Sequence, residues 1–337
     1  MSEKRIIPKM MNEHDAEFGS IIELINRETE FTLLSHVSPD GDTLGSALAL
    51  YALLVKLGKK VELVCANPVP KIYSFLPNSD KVLLPEKAEG YRCVIACDCA
   101  DLPRFGRAIR LFDGAEETAA IDHHVTNPGF AAENLVVANA AATAEVIYEL
   151  YVRMDMPVDK DAMVCLYTGI VTDTGNLSYS NTTPGSLRII ADFIEMGLDI
   201  SKLNRLIYRT VPFSKTRLQG YVVSRMQLEH GGDIGIAVLT RSQMLSFDAT
   251  DEDCEGIVDC VRDVDSVKIG IFIREGADGS YKVSLRSKAV GNVCSIAEKH
   301  GGGGHARAAG YTAHESLSTV VADVVREACE ELDEAER

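Results

Sequence analysis

Two adjacent histidines behind an aspartate, Asp122-His123-His124, are where this 337-residue sequence most plainly carries chemistry. They follow the apolar stretch TAAI. Two imidazoles leaving one loop can divide the work, one ligating a metal ion while the other faces a substrate. Asp122 can accept a ring N–H and hold the tautomer. A solvated polar loop would use the same residues. A second group, His36-x-x-x-Asp40-x-Asp42, follows the run FTLLS and precedes a helical stretch. One imidazole and two carboxylates there can surround a single point. Equally, Asp40-Gly41 can turn the chain and Asp42 or Thr43 can cap the helix. Asp98 ends the buried run CVIAC, where a carboxylate is costly unless a cation meets it. Its neighbours Cys97 and Cys99 are expected on the opposite face of that strand, as core thiols. Asp173, in GIVTDTG, is a fourth carboxylate, although alone it would pass for a helix end.

Taken together, Asp40, Asp42, Asp98 and Asp173 bring four negative charges, and His36 and His123 bring two neutral donors. Crowded carboxylates raise one another's pKa, and two divalent ions would neutralise them. A donor set of oxygen and imidazole without thiolate suits Mn²⁺, Mg²⁺, Fe²⁺ or Zn²⁺, and its oxygen content favours Mn²⁺. Two ions ~3.5–4 Å apart activate a water and clamp both oxygens of an in-line phosphoryl displacement. Near the C-terminus, Gly301-Gly302-Gly303-Gly304-His305 removes every Cβ from four successive residues, so backbone N–H groups can approach a phosphate. A flexible loop is the alternative. Arg286, Lys288, His300, His305 and Arg307 form a cationic island around it.

The elements that must position these groups alternate. Buried strands are expected at 31–35, 61–65, 93–97 and 118–121, with helices at 46–57 and 143–154 between them. Such alternation implies an α/β fold, a mostly parallel sheet with helices on both faces, whose ligands gather beyond the carboxyl ends of the strands. The clusters HVSPDGD, DCADLPR and DHHVTN all follow strand ends. Length gives a prior of ~2 domains, read here as a catalytic domain at 1–199, a helical connector at 200–227 and a smaller α/β domain at 228–337. Strands are expected there at 234–239, 267–273 and 281–285, with a helix at 292–299 and a closing helix from Ser316.

With 34 basic and 50 acidic residues the net charge is −16. That repels long polyanions and argues against non-specific coating of DNA. It leaves room for a small phosphate compound in a local positive pocket. No apolar run approaches the ~18 residues of a membrane span, and the N-terminus has no signal-peptide core. The nine cysteines contain no CxxC pair, and we expect free thiols in a reduced, cytoplasmic protein. The tail EELDEAER is expected to be a solvated helix end.

HVSPDGDTLGS, the CDCADLPR strand end, DHHVTN, GIVTDTGNLSYS and GGGGHARAAG occur in this order. They resemble the DHH phosphoesterase superfamily with its DHH-associated C-terminal domain, over nearly the whole chain. Within it the chain looks most like the nano-RNase and phosphoadenosine-phosphate phosphatase group. The resemblance implies two divalent ions, Mn²⁺ first with Mg²⁺ or Co²⁺ as alternatives. His36, Asp40 and Asp98 match the ligands of one ion. Asp42, Asp98, His123 and Asp173 match those of the other, so that Asp98 bridges. It implies attack on phosphorus by a hydroxide held between the ions, with His124 at the scissile phosphate and Asp122 orienting the pair. Arg286, Gly303, Gly304 and His305 match substrate-holding residues across a cleft, and Asn127 falls where a polar substrate contact is expected. The implied substrates are oligoribonucleotides of about two to five nucleotides and phosphoadenosine phosphate, which would lose its 3′-phosphate to give AMP. The implied assembly is a homodimer. A stand-alone cyclic-di-AMP or linear dinucleotide phosphodiesterase is the runner-up, a plain phosphomonoesterase is not separable from the dual activity, and a nucleotide sensor without hydrolysis is disfavoured by the intact ligand set.

Overall fold

Short β-branched runs separated by longer amphipathic stretches make strand–helix–strand units, and the computed structural model, which describes residues 12–335, is built of them. Residues 1–11 of the N-terminal stretch and the last two of the acidic tail lie outside the described part. The chain divides into two units between Thr210 and Val211.

In the first unit, β1 (Glu30–Ser35), β2 (Lys60–Cys65), β3 (Val82–Leu83), β4 (Cys93–Cys97), β5 (Glu117–Asp122) and β6 (Glu133–Val136) form one parallel sheet in the order β3-β2-β1-β4-β5-β6. The order reverses between β1 and β4, and this is where open parallel sheets leave a crevice for ligands. Among the described residues seven α-helices accompany the sheet: α1 (Asp15–Arg27), α2 (Gly41–Lys56), α3 (Ile109–Asp113), α4 (Thr143–Arg153), α5 (Lys160–Asp173), α6 (Pro184–Glu195) and α7 (Ile200–Tyr208). The larger core joins Leu33, Ile95 and Ile121 of the sheet to α1, α2, α4, α5 and α6. Leu34, Val64 and Val94 face the other way, onto Phe105, Leu111 and Phe112. Both faces are therefore covered, unequally.

The helix expected from Ser46 starts five residues earlier, at Gly41. Asp40 is its N-cap, accepting from the N–H groups of Asp42 (3.1 Å) and Thr43 (3.0 Å). Its first turn is small and polar yet buried, so an apolar pattern cannot announce it. Burial comes from close packing on α5. A Cβ on Gly45 would lie 2.4 Å from the Cys165 carbonyl oxygen, and one on Gly41 would lie 2.3 Å from Thr172 Oγ1.

Cys97 and Cys99, expected on one face, part company. Cys97 joins the larger core and Cys99 the smaller one. The reason is Asp98 between them, whose φ of 55° breaks the strand's alternation. All nine cysteines are free.

The second unit holds a mixed sheet of β7 (Gln227–Glu229), β8 (Ile234–Leu239), β9 (Ile269–Glu275), β10 (Tyr281–Ser287), β11 (Gly303–His305) and β12 (Ala308–Ala313), ordered β11-β12-β10-β9-β8-β7. Only β8 and β9 run parallel. Helices α8 (Phe213–Ser224), α9 (Arg241–Ser246) and α10 (Ile257–Arg262) pack with one face, α11 (Val293–Lys299) and α12 (Leu317–Ala335) with the other. The stretch 200–227, expected as a connector, contains α7 of the first unit and α8 of the second. Among the described residues no helix is long and apolar enough to cross a membrane.

The α2–α5 contact gives a test. Gly45→Ala should cost ~1–3 kcal/mol in denaturant unfolding, because a methyl has no room against a main-chain oxygen. Gly19→Ala, on α1 where nothing lies within 4 Å of the added carbon, should be neutral or stabilising by up to ~1 kcal/mol. Equal effects would contradict the close packing.

Candidate metal centre

The polar residues read from the sequence meet at the carboxyl ends of β1, β4 and β5. His36, directly after β1, is buried, and its Nδ1 lies 2.7 Å from the Val37 carbonyl oxygen. Nε2 is therefore the atom presented to Asp40 Oδ2 and Asp98 Oδ2, each 3.7 Å away. Asp40 serves twice, one oxygen capping α2 and the other facing His36. The turn-and-cap reading and the ligand reading of this segment thus coincide in one side chain.

Asp98 follows β4, with its N–H donated to the Ile121 carbonyl at 3.0 Å. A left-handed φ is tolerated better by Asp than by most residues, and here it turns the carboxylate toward the strand ends. Its two oxygens look different ways. Oδ2 faces His36, while Oδ1 accepts from Thr143 Oγ1 at 2.8 Å and lies 3.7 Å from His123 Nε2. His123 is in turn 3.5 Å from Asp173 Oδ2 and 4.0 Å from Asp42 Oδ2, with its Nδ1 against the Ala140 carbonyl at 3.2 Å.

Asp42's partners escape the sequence reading. It accepts from Ser46 Oγ (3.0 Å) and from the N–H groups of Thr143 (2.7 Å) and Ala144 (3.0 Å). Those two amides open α4, whose N-cap, Ala142, has no side-chain acceptor. A carboxylate 101 residues earlier does the capping, which suits the positive end of a helix. A helix beginning AATAE with no capping side chain is the one signal that could have pointed there. Gly169 on α5 makes room, since a Cβ there would meet Asp42 Oδ1 at 2.6 Å.

At the end of β5, Asp122 accepts three hydrogen bonds: the N–H of His123 (2.8 Å), Nδ1–H of His124 (2.7 Å) and Nδ2–H of Asn127 (2.7 Å). These bonds outweigh burial and hold its carboxyl below the usual range. Asn127, expected to touch substrate, also donates to the Cys99 carbonyl and accepts from the Gly129 N–H. Its amide is engaged in holding Asp122.

Three overlapping groups could each hold an ion: His36, Asp40 and Asp98; Asp42, His123 and Asp173; and Asp98, His123 and His124. Ligands ~2.1 Å from a small divalent ion sit about 3.0 Å (adjacent) to 4.2 Å (opposite) from one another in octahedral geometry. The 3.5–4.0 Å separations fall within that range. The donor set fits hard or borderline divalent ions.

Arg286, Gly303, Gly304 and His305 lie on β10 and β11 of the second unit. The glycine run, for which a flexible loop was the alternative reading, ends as an edge strand. A Cβ on Gly302 would lie 2.3 Å from the Gly310 carbonyl oxygen and one on Gly304 2.4 Å from that of Ala308. Glycine here serves strand approach. The cationic island is largely engaged: Arg286 lies 3.5 Å from Asp259, Lys288 donates to the Val264 and Asp265 carbonyls, His300 meets Glu327 at 2.9 Å and Arg307 donates to the Gly291 carbonyl.

Without cations the crowding raises the proton affinity of carboxyls in the centre. Burial, then the charges of Asp42, Asp40, Asp122 and Asp173, push Asp98 well above the carboxylate range. Burial and Asp42 push Asp173 up to about 7. Such a carboxyl contributes stability that is complete below its unfolded value near ~4 and lost as the pH rises through its folded value. In metal-free protein the thermal midpoint should therefore fall as the pH climbs from about 5 to 8, and saturating divalent ion should remove the decline. A flat metal-free profile would contradict the crowding.

Comparison with known proteins places these features in a family. Residues 30–170 match the DHH family, N-terminal domain, and residues 220–336 the DHHA1 domain. The bifunctional oligoribonuclease and PAP phosphatase NrnA of Thermus thermophilus is 35% identical over 83% of this chain and 83% of its own length. Its namesake from Bacillus subtilis is 26% identical over 90% of this chain and 96% of its own length. The crystal structure of an exopolyphosphatase-related protein from Bacteroides fragilis superposes with a TM-score of 0.88 at 28% identity, covering 94% of this chain and 96% of that one. The chain belongs to the DHH family, with a DHH N-terminal domain followed by a DHHA1 domain.

Proposed function

We propose that this protein is a metal-dependent phosphoesterase that hydrolyses short oligoribonucleotides to mononucleotides and removes the 3′-phosphate of phosphoadenosine phosphate. One observation carries the phosphoesterase part: Asp98 turns one oxygen to His36 and the other to His123, and so belongs to two ligand groups at once. The names of the relatives from Thermus thermophilus and Bacillus subtilis supply the substrate class.

In this reading His36, Asp40 and Asp98 hold one divalent ion and Asp42, Asp98, His123 and Asp173 the other, with Mn²⁺ as the working metal. Bound there, the pair would lower the pKa of water and offset charge on the phosphoryl oxygens. The chain's own part is positional. Asp122 anchors His124 through Nδ1, so Nε2 is the atom offered to substrate, where it steadies charge or passes a proton to the leaving oxygen. Thr143 steadies Asp98, and the start of α4 steadies Asp42. Arg286, Gly303, Gly304 and His305 are assigned to substrate phosphate and Asn127, through Asp122, to the histidine pair. The setting is the cytoplasm and the assembly a homodimer.

Two measurements bear on this reading. Asp98→Asn preserves a residue that accepts a left-handed backbone and removes the charge shared by both groups; turnover of every substrate should fall by at least ~10³-fold, and retained turnover would refute the shared role. In a competition with Mn²⁺, a 5′-phosphorylated diribonucleotide and phosphoadenosine phosphate should disappear before an RNA of ~20 nucleotides, cyclic di-AMP or pyrophosphate. Earlier loss of cyclic di-AMP or pyrophosphate would leave the centre in place and overturn the substrate.

A further inference from the structure

The segment after Asp173 is strained for no reason that ligation requires. Gly175, Asn176 and Leu177 take φ values of 54°, 56° and 65° in succession. Leu is a poor occupant of that region, and such strain persists only where surrounding structure enforces it. Here the enforcement is visible. The N–H groups of Asn176 and Tyr179 are donated to the carbonyls of Val171 (2.7 Å) and Thr174 (3.0 Å), Leu177 N–H goes to Thr174 Oγ1 (3.2 Å), and Leu177 packs on the larger core. Asn181 Nδ2 donates to the Asp173 carbonyl at 3.1 Å.

What this turn delivers is the ring of Tyr179. It lies flat against Gly175, where a Cβ would be 2.4 Å from Cζ and 2.5 Å from Cε1. Position 175 must be glycine for the ring to sit there, two residues from a carboxylate of the centre. Nevertheless the side chain is 52% exposed, and Val125, directly after His124, is 80% exposed. Apolar surface is thus held open to solvent on two loops that also carry groups of the centre. A rigid, half-open aromatic face offers a π-surface that any nucleobase can stack on, whatever its sequence.

We infer that Tyr179 is a stacking platform for the base of the nucleotide whose phosphate is cleaved, a substrate-binding residue of the proposed site. The inference rests on the nucleotide-hydrolase reading above. Stacking binds the base without touching the reacting atoms, so it acts on KM and leaves kcat nearly unchanged.

The test compares wild type, Tyr179→Phe and Tyr179→Ala on a 5′-phosphorylated diribonucleotide and on the same compound with one or the other base removed, with calorimetric binding of AMP in parallel. Tyr179→Ala should raise KM for the diribonucleotide about ten-fold, with kcat within about two-fold, while Tyr179→Phe behaves as wild type. One of the two abasic compounds should be cleaved by wild type and Tyr179→Ala with equal KM, identifying the stacked base. An unchanged KM in Tyr179→Ala overturns the inference, as does an equal penalty on both abasic compounds. If wild type fails to cleave the diribonucleotide, the hydrolase reading falls. AMP binding then decides for the platform: a ten-fold loss in Tyr179→Ala, restored in Tyr179→Phe, supports it and equal binding refutes it.

Discussion

Everything in the first unit is arranged around one electrostatic difficulty: several carboxylates have to occupy a small, largely dry space at the end of a sheet. Like charges at this spacing repel strongly wherever water is scarce. The fold answers with directed dipoles. The opening amides of α4 meet Asp42, the N–H groups at the start of α2 meet Asp40, and a threonine hydroxyl meets Asp98. Each histidine has Nδ1 next to an oxygen, which leaves Nε2 as its working atom. Helix packing follows from the same need. α2 can bring Asp42 to the centre only by lying almost in contact with α5, and Gly41, Gly45 and Gly169 are what permit it.

Much of this was legible. Strand ends mark where a parallel sheet collects its chemistry, so the carboxylates of Asp40, Asp42, Asp98 and Asp173 and the imidazoles of His36 and His123 could be grouped from residue type and position, and the family resemblance divided them into two sets sharing Asp98. The central strands also read well, since Val, Ile and Leu runs buried on both faces leave a clear trace. The start of α2 did not, because Gly41-Asp42-Thr43 is buried through polar bonds and absent side chains. Nor did the separation of Cys97 from Cys99, which depends on a backbone angle at Asp98. The strand formed by the end of the glycine run was not legible, because four glycines signal freedom, whereas two of them serve to bring β11 close to β12.

The two units meet their polar demands differently. In the first, acidic groups converge and bonds from main chain and hydroxyls hold them. In the second, the basic side chains that stand out in an acidic sequence are mostly tied locally, to Asp259, Glu327 and main-chain carbonyls. A cluster of cations in sequence is therefore a weaker guide to a binding surface than a cluster of carboxylates at strand ends, since long side chains find partners easily while short buried ones cannot.

The capping of α4 by Asp42 has a bearing on coordination number. A carboxylate offers roughly four lone-pair sites, and three of Asp42's are taken by Ser46, Thr143 and Ala144. The remaining one is on Oδ2, the oxygen nearest His123. Toward an ion Asp42 would therefore be a donor through one oxygen only. A helix start, by occupying lone pairs, limits what a carboxylate a hundred positions away could offer an ion, and would leave more of that ion's shell to exchangeable oxygens.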